Sequence, residues 1–356
     1  MNWINQRFWG ILQVAIISLV LFVVIDFFVG SHLFKLYGPI EERYRVIDET
    51  FHHSLLPNYD GLGVWGGRQY RICTNTLGFK DTCDKSRQTI NHADIAFIGD
   101  SFTEGIGLSF EDTFVGQISL ARPDLKIINM GVSSYSPSIF LAKVKWYVNQ
   151  GLKFKELIAY IDISDIQDEG VLYIYEDGVV RDKYTTDLIY SAKIKLKKNF
   201  RLTYFMLKII RSMILKRSNL SLDIINYSTR GEWTYVRYPN GYGEEGVDVA
   251  INKTINIMNE LYMFLNERGI KLSIGIYPWP NQLRHDVANS KQVIIWKDFC
   301  KNRCVNFYNS FDTFFSLKEK IKGDAFYETY FFQNDVHFNN RNSTSVIAKD
   351  FLKSYN

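Results

Sequence analysis

From Trp9 to Val29 the chain reads WGILQVAIISLVLFVVIDFFV, a continuous apolar run of 21 residues interrupted by one charge, Asp26. As an α-helix it reaches ~31 Å, the thickness of a bilayer's hydrocarbon core. The pattern predicts one membrane-spanning anchor over 9–29. The run exceeds the apolar stretch of a signal peptide, and no small-residue cleavage site follows Phe28. Asp26 lies three residues from the end of the span, where its carboxylate reaches the interface.

Beyond the anchor, a polar, Gly-rich approach (NYDGLGVWGGRQY from Asn58, then TNTLGFKD at 74–81) carries turn chemistry and no helical period. It predicts loops and short strands. Five candidate strands then alternate with helical stretches: ADIAFIGD to Asp100, LKIINMGV to Val132, ELIAYIDISD to Asp165, IKLSIGIYP to Pro278 and CVNFYNS to Ser310. Four of these runs are short and rich in branched apolar residues, as strands buried on both faces are. Helices are expected at Ser138–Gln150, Val249–Arg268, Gln292–Asn302 and about 343–354. Repeated strand, helix, strand predicts an α/β chain with a parallel five-stranded sheet between two helical layers, its ligand crevice outside the carboxyl ends of the strands. The expected organisation is a tail and anchor over 1–30, a lead-in over 31–90, and a catalytic domain over 91–356.

Composition narrows the function. With 42 Lys and Arg against 38 Asp and Glu, the formal charge is only +4, and no nucleic-acid motif is present. Nucleic acid is therefore not expected as a partner. The basic excess is local: nine Lys or Arg and no acidic residue lie between Leu188 and Leu222. This belongs to an insert at about 186–222, between the third and fourth strands, whose segment 194–220 reads as a basic amphipathic helix. Such a helix lies on an anionic membrane, covers a groove, or packs its apolar face on the core. The four cysteines form two close pairs, Cys73 with Cys83 and Cys300 with Cys304, without zinc-site spacing. Disulfides in an oxidising compartment and free buried thiols both fit. Flanking charge, Arg7 before the span against Lys35, Arg43 and Arg45 after it, taken by itself disfavours an exported C-terminus. Because long domains translocate despite such charges, the expected arrangement is a short cytoplasmic tail, an inner-membrane anchor and an external catalytic domain.

The chemistry gathers around GDSFTEG, Gly99 to Gly105, at the carboxyl end of the first of the five strands. Small residues there let the backbone turn sharply and present Ser101 as a nucleophile; the plainer reading is a helix cap. A serine nucleophile needs a base. Of six histidines, His32 flanks the span, His52, His53 and His92 lie in loop-like approaches, and His285 follows the fourth strand without a carboxylate pattern. His337, in NDVHFN before the last helix, has Asp335 two residues away. A tetrahedral intermediate also needs preorganised donors, and Gly131 after the second strand is placed to offer an N–H.

This series, GDSFTEG, then Gly131, then a C-terminal D-x-H, resembles the SGNH (GDSL-like) hydrolase and acyltransferase superfamily over roughly 94–355, and the TNTLGFKD lead-in resembles that of its membrane-anchored bacterial members. The resemblance implies a flavodoxin-like three-layer fold, Ser101, His337 and Asp335 as a catalytic triad, and Ser101 and Gly131 as backbone oxyanion donors. Ser164 stands where the superfamily carries an oxyanion-hole Asn, with Gln167 or Asn281 as substitutes near the crevice. No cofactor or metal is expected. The implied activity is ester hydrolysis or acyl transfer on carbohydrate or lipid-linked glycan esters, served by a membrane acyl-donor partner in the transfer case. The rival reading is a non-catalytic envelope protein that keeps the fold to bind glycan or a membrane partner.

Overall fold

A computed structural model describes residues 2–84, 90–183, 187–217 and 227–355. Contacts divide the chain into two compact units. One takes in the residues up to Arg43 together with 187–217, and the other holds Tyr44 onward and everything else described.

In the first unit, α1 (Asn2–Ile25) passes through a π-helical turn, Asp26–Gly30, into α2 (Ser31–Tyr37). Arg7–Phe34 is long and apolar enough to cross a membrane, and most of its apolar side chains are exposed, as a lipid-facing helix requires. The insert contributes α5 (Asp187–Asn199) and α6 (Arg201–Arg217), and its expected residues 186 and 218–222 lie outside the described ones. Sequence placed the insert with the catalytic domain. Its described helices group instead with α1 and α2.

The second unit is built on one eight-stranded sheet. Its strands are β1 (Asp60–Trp65), β2 (Arg68–Thr74), β3 (Lys80–Asp81), β4 (His92–Ile98), β5 (Ile127–Asn129), β6 (Lys153–Tyr160), β7 (Lys271–Ile276) and β8 (Phe307–Asn309). They lie in the order β8-β7-β6-β4-β5-β3-β2-β1. The five expected strands are the parallel part, β4 to β8. Beyond these five, β3 pairs antiparallel with β5 through Lys80 and Asn129, so the short strands of the lead-in extend the same sheet by three.

Alternation along the central strands sends side chains into two cores. Ala96, Ile98, Leu157 and Ala159 face a cluster shared with Phe140 and Val144 of α4 (Pro137–Asn149), Met258 and Leu261 of α7 (Gly246–Asn266), and Trp296 of α8 (Lys291–Cys300). Ile95, Phe97, Ile158 and Tyr160 face the other, with Phe114 and Ile118 of α3 (Phe114–Ala121) and Ile347 and Phe351 of α9 (Arg341–Ser354). A sheet apolar on both faces must be covered on both, which yields the three layers.

Cys73 is joined to Cys83 and Cys300 to Cys304, with Cα separations of 5.3 and 4.6 Å. Both lie within disulfide range. Denatured but unreduced protein should therefore take up no alkylating reagent, and reduction should expose all four thiols. Ready labelling of all four without reductant would contradict the pairing.

Candidate active site

Ser101 opens a one-turn helix, Ser101–Glu104, directly after β4. Asp100 caps that turn by accepting from the Phe102 N–H at 3.0 Å. The turn is tight because two glycines let backbone pass close by. A Cβ on Gly99 would sit 2.8 Å from the Tyr160 carbonyl oxygen, and one on Gly131 would sit 2.8 Å from Thr103 Cβ and 2.9 Å from the Glu104 nitrogen. Asn129 ties the same parts together by donating to the Thr103 carbonyl at 2.7 Å.

The loop before α9 brings His337 to this turn. Ser101 Oγ lies 2.7 Å from His337 Nε2, and His337 Nδ1 lies 2.6 Å from Asp335 Oδ1. Ser101 and His337 are both buried. Asp335 Oδ1 also accepts from the backbone N–H of Val336 (2.6 Å) and His337 (3.1 Å). Burial alone would raise the Asp335 pKa, but its bonds to the His337 ring and these backbone donors outweigh that and hold it below the usual carboxylate range. An ionised acceptor at Nδ1 keeps that nitrogen protonated and leaves Nε2 free to accept from the serine. The imidazole is held between Phe102, stacked at 4.9 Å, and the edge of Trp65, at 5.1 Å. Trp65 is the last residue of β1, so the lead-in helps line the site.

The structure commits the other expected oxyanion donors elsewhere. The Gly131 N–H donates to Asn129 Oδ1 at 3.0 Å, and the Ser164 hydroxyl donates to Asp162 Oδ1 at 2.6 Å, as does the Ser164 N–H at 2.8 Å. Gln167, a substitute donor in sequence, gives its amide to the Gly241 carbonyl at 2.8 Å. Asn281 lies half-buried in the first turn of the helix Pro280–His285. Of the three expected donors, this leaves the Ser101 N–H, at the first position of its helical turn, where no intrahelical acceptor exists. His285 packs against Tyr235, with ring centroids 5.6 Å apart.

Sequence reading missed an acidic group behind the serine. Carboxylate oxygens of Asp100, Asp162 and Asp165 all lie within 4.8 Å of one another and are buried. Tyr277 donates to Asp100 at 3.0 Å and Trp279 to Asp162 at 2.6 Å. Burial first, then the neighbouring carboxylates, raises Asp100 and Asp165 well above the ordinary range. The Asp165 Oδ1 atom has no hydrogen-bond partner, a position a neutral carboxyl tolerates far better than a charged one. The consequence reaches Ser101, whose Oγ also lies 3.2 Å from Asp100 Oδ2. The contact to His337 Nε2, at 2.7 Å, is the shorter of the two. Crevice-side aromatics in YPWP, straight after β7, were the available signal for Tyr277 and Trp279.

No family model matches the chain, and no curated protein is similar to it in sequence. Solved structures are similar to it at low identity. One is a lipolytic protein of the G-D-S-L family from Veillonella parvula, with 10% identity, 74% of this chain and 97% of that chain covered, and a TM-score of 0.40. Another is a GDSL-like lipase from Bacteroides thetaiotaomicron, with 10% identity, 74% and 87% covered, and a TM-score of 0.37. A third is a catalytic mutant of an acetylxylan esterase from Geobacillus stearothermophilus, with 13% identity, 74% and 94% covered, and a TM-score of 0.39.

The loop that ends in Gly131 is held from below by Lys143 of α4. This buried ammonium donates to the Met130 carbonyl at 2.9 Å and the Tyr135 hydroxyl at 3.0 Å. Burial pushes its pKa down to about 7. The unfolded chain, with a lysine pKa of about 10.4, therefore binds more protons between those values, so this residue's contribution to stability rises with pH across that window. Denaturant unfolding should show wild type gaining on Lys143→Met from pH 7 to about 9.5, by at most ~1.4 kcal/mol per pH unit. A difference that stays constant or shrinks would contradict the assignment.

Proposed function

We propose that the chain is an SGNH-type serine esterase or O-acyltransferase, anchored by α1 in the inner membrane with its catalytic unit on the outer side. The observation that carries this reading is the continuous relay from Ser101 Oγ through the His337 ring to Asp335, at 2.7 and 2.6 Å. Both contacts are within the range needed for proton transfer and for fixing the tautomer. The two cystine pairs support an oxidising compartment.

His337 Nε2 takes the Ser101 proton as Oγ attacks the ester carbonyl carbon. The tetrahedral oxyanion collapses, its C–O bond to the alcohol breaks, and the alcohol leaves with the proton from Nε2. Water or an acceptor hydroxyl then gives its proton to Nε2 and attacks the acyl carbon, the C–Oγ bond breaks, and Ser101 leaves with that proton returned from Nε2. Asp335 stabilises the imidazolium throughout. With Gly131 and Ser164 committed elsewhere, the oxyanion hole is sparse, and loss of one donor costs ~10²–10³ in rate. A small ester brings little remote binding energy to offset that, whereas a bound glycan acceptor does. The favoured substrates are accordingly O-acetyl groups of cell-envelope carbohydrate, with transfer preferred over hydrolysis.

A fluorophosphonate probe should label Ser101, and Ser101→Ala should abolish the labelling. Asp335→Asn should slow it by ~10²–10⁴, because the ring then loses its orienting charge. The commitment of the Gly131 and Ser164 donors favours a second reading, a glycan-binding protein without turnover, and an unlabelled Ser101 would establish it. Acyl consumption from an activated ester should also rise several-fold on adding an envelope glycan fragment, with the acyl group recovered on the sugar. Fast hydrolysis indifferent to glycan would make the protein an ordinary esterase.

A further inference from the structure

The membrane-side unit contains an arrangement that a single anchor does not require. Asp26, at the outer end of the apolar run, is fully buried within this unit. Its carboxylate accepts from the backbone N–H of Leu202 (3.1 Å), the N–H of Thr203 (2.7 Å) and the Thr203 hydroxyl (2.6 Å). Those are first-turn donors of α6, whose partial positive charge a carboxylate stabilises. Gly30 makes this reach possible, because a Cβ there would collide with Asp26 Oδ1 at 1.7 Å. Phe27 against Phe200 (5.5 Å), Phe34 against Phe205 (5.7 Å) and the Arg201 guanidinium over Phe34 (4.5 Å) complete the joint. Glu42 accepts from Lys208 at 2.5 Å.

Past this joint, five apolar side chains of α6 are uncovered. Met206, Leu207, Ile210, Met213 and Ile214 are each between 47 and 64% exposed. At 100° per residue they form one apolar stripe, with Lys208 on the opposite side. The helix also carries five Lys or Arg and no acidic residue from Arg201 to Arg217. An apolar stripe on a basic helix fits the headgroup region of an anionic leaflet. Since Asp26 ties the first turn of α6 to the end of the apolar run, the helix begins at the depth of that interface.

We infer that α6 is a second membrane contact, an interfacial helix whose apolar stripe lies in the anionic leaflet where α1 emerges and whose N-terminus is tethered by Asp26. This rests on α1 being the anchor, and the test separates the two. Full-length protein carrying Met213→Cys or Leu19→Cys would be labelled with an environment-sensitive fluorophore, the native thiols being paired. The protein would be placed in nanodiscs of phosphatidylglycerol and phosphatidylethanolamine. The probe at 19 should be quenched by a spin label near the acyl-chain end, and the probe at 213 by one near the headgroup but not by aqueous iodide. Adding Asp26→Ala should abolish lipid quenching at 213 while leaving it at 19. Failure at position 19 would overturn the anchor. Iodide quenching at 213 with position 19 intact would overturn the inference alone, as would shielding at 213 from both quenchers, which would mean that protein covers the stripe. Lipid quenching at 213 that survives Asp26→Ala would remove the tether.

Discussion

A hydroxyl at the end of β4 and an imidazole 236 residues further along the chain meet at 2.7 Å. Neighbours in sequence orient each partner but do not bring the two together. The serine turn depends on β4 running parallel between β5 and β6, which aims the carboxyl ends of all three strands at one edge. It also depends on Gly99 and Gly131, whose missing side chains let the surrounding backbone close in. The histidine depends on α9 packing on the same sheet through Ile347 and Phe351, so that the loop before it falls over the crevice. Asp335 then needs only to bond within its own loop. The parallel sheet is thus the constraint from which the site follows, consistent with ligand crevices at strand carboxyl ends.

Electrostatics behind the serine complete the arrangement. Three buried carboxyls lie so close together that burial and mutual repulsion raise Asp100 and Asp165 well above the ordinary carboxylate range. Asp335 is the opposite case, half-buried and supplied with donors, and stays charged. Two acids near one serine are thereby shifted in opposite directions by their surroundings alone.

Much of this was legible in the sequence. The five parallel strands stand out because strands buried on both faces are apolar without interruption, and Ser101, Asp335 and His337 because their residue types and order carry the chemistry. The three added strands were harder to read. β1 and β2 are partly exposed and rich in glycine and polar residues, so they resemble loops until Lys80 is seen paired with Asn129. Gly131 was legible as a glycine after the second strand, whereas the bond of its N–H to Asn129 and the close approach its missing side chain allows are seen only in the fold. The D-x-S turn that captures Ser164 was open to the same local reasoning. The bond from Asp26 to Thr203 spans 177 residues and has no local signature, so only the folded chain reveals it.

The central claim is that Ser101 becomes covalently acylated with His337 as its base. Brief exposure to an activated acetyl ester, an acid quench and peptide mass spectrometry would test it most directly. The account predicts an acetyl group on the Ser101 peptide, absent in His337→Ala and removed on longer incubation with acceptor. Ester turnover that never places an acetyl group on Ser101, or an acetylated Ser101 unaffected by His337→Ala, would contradict it.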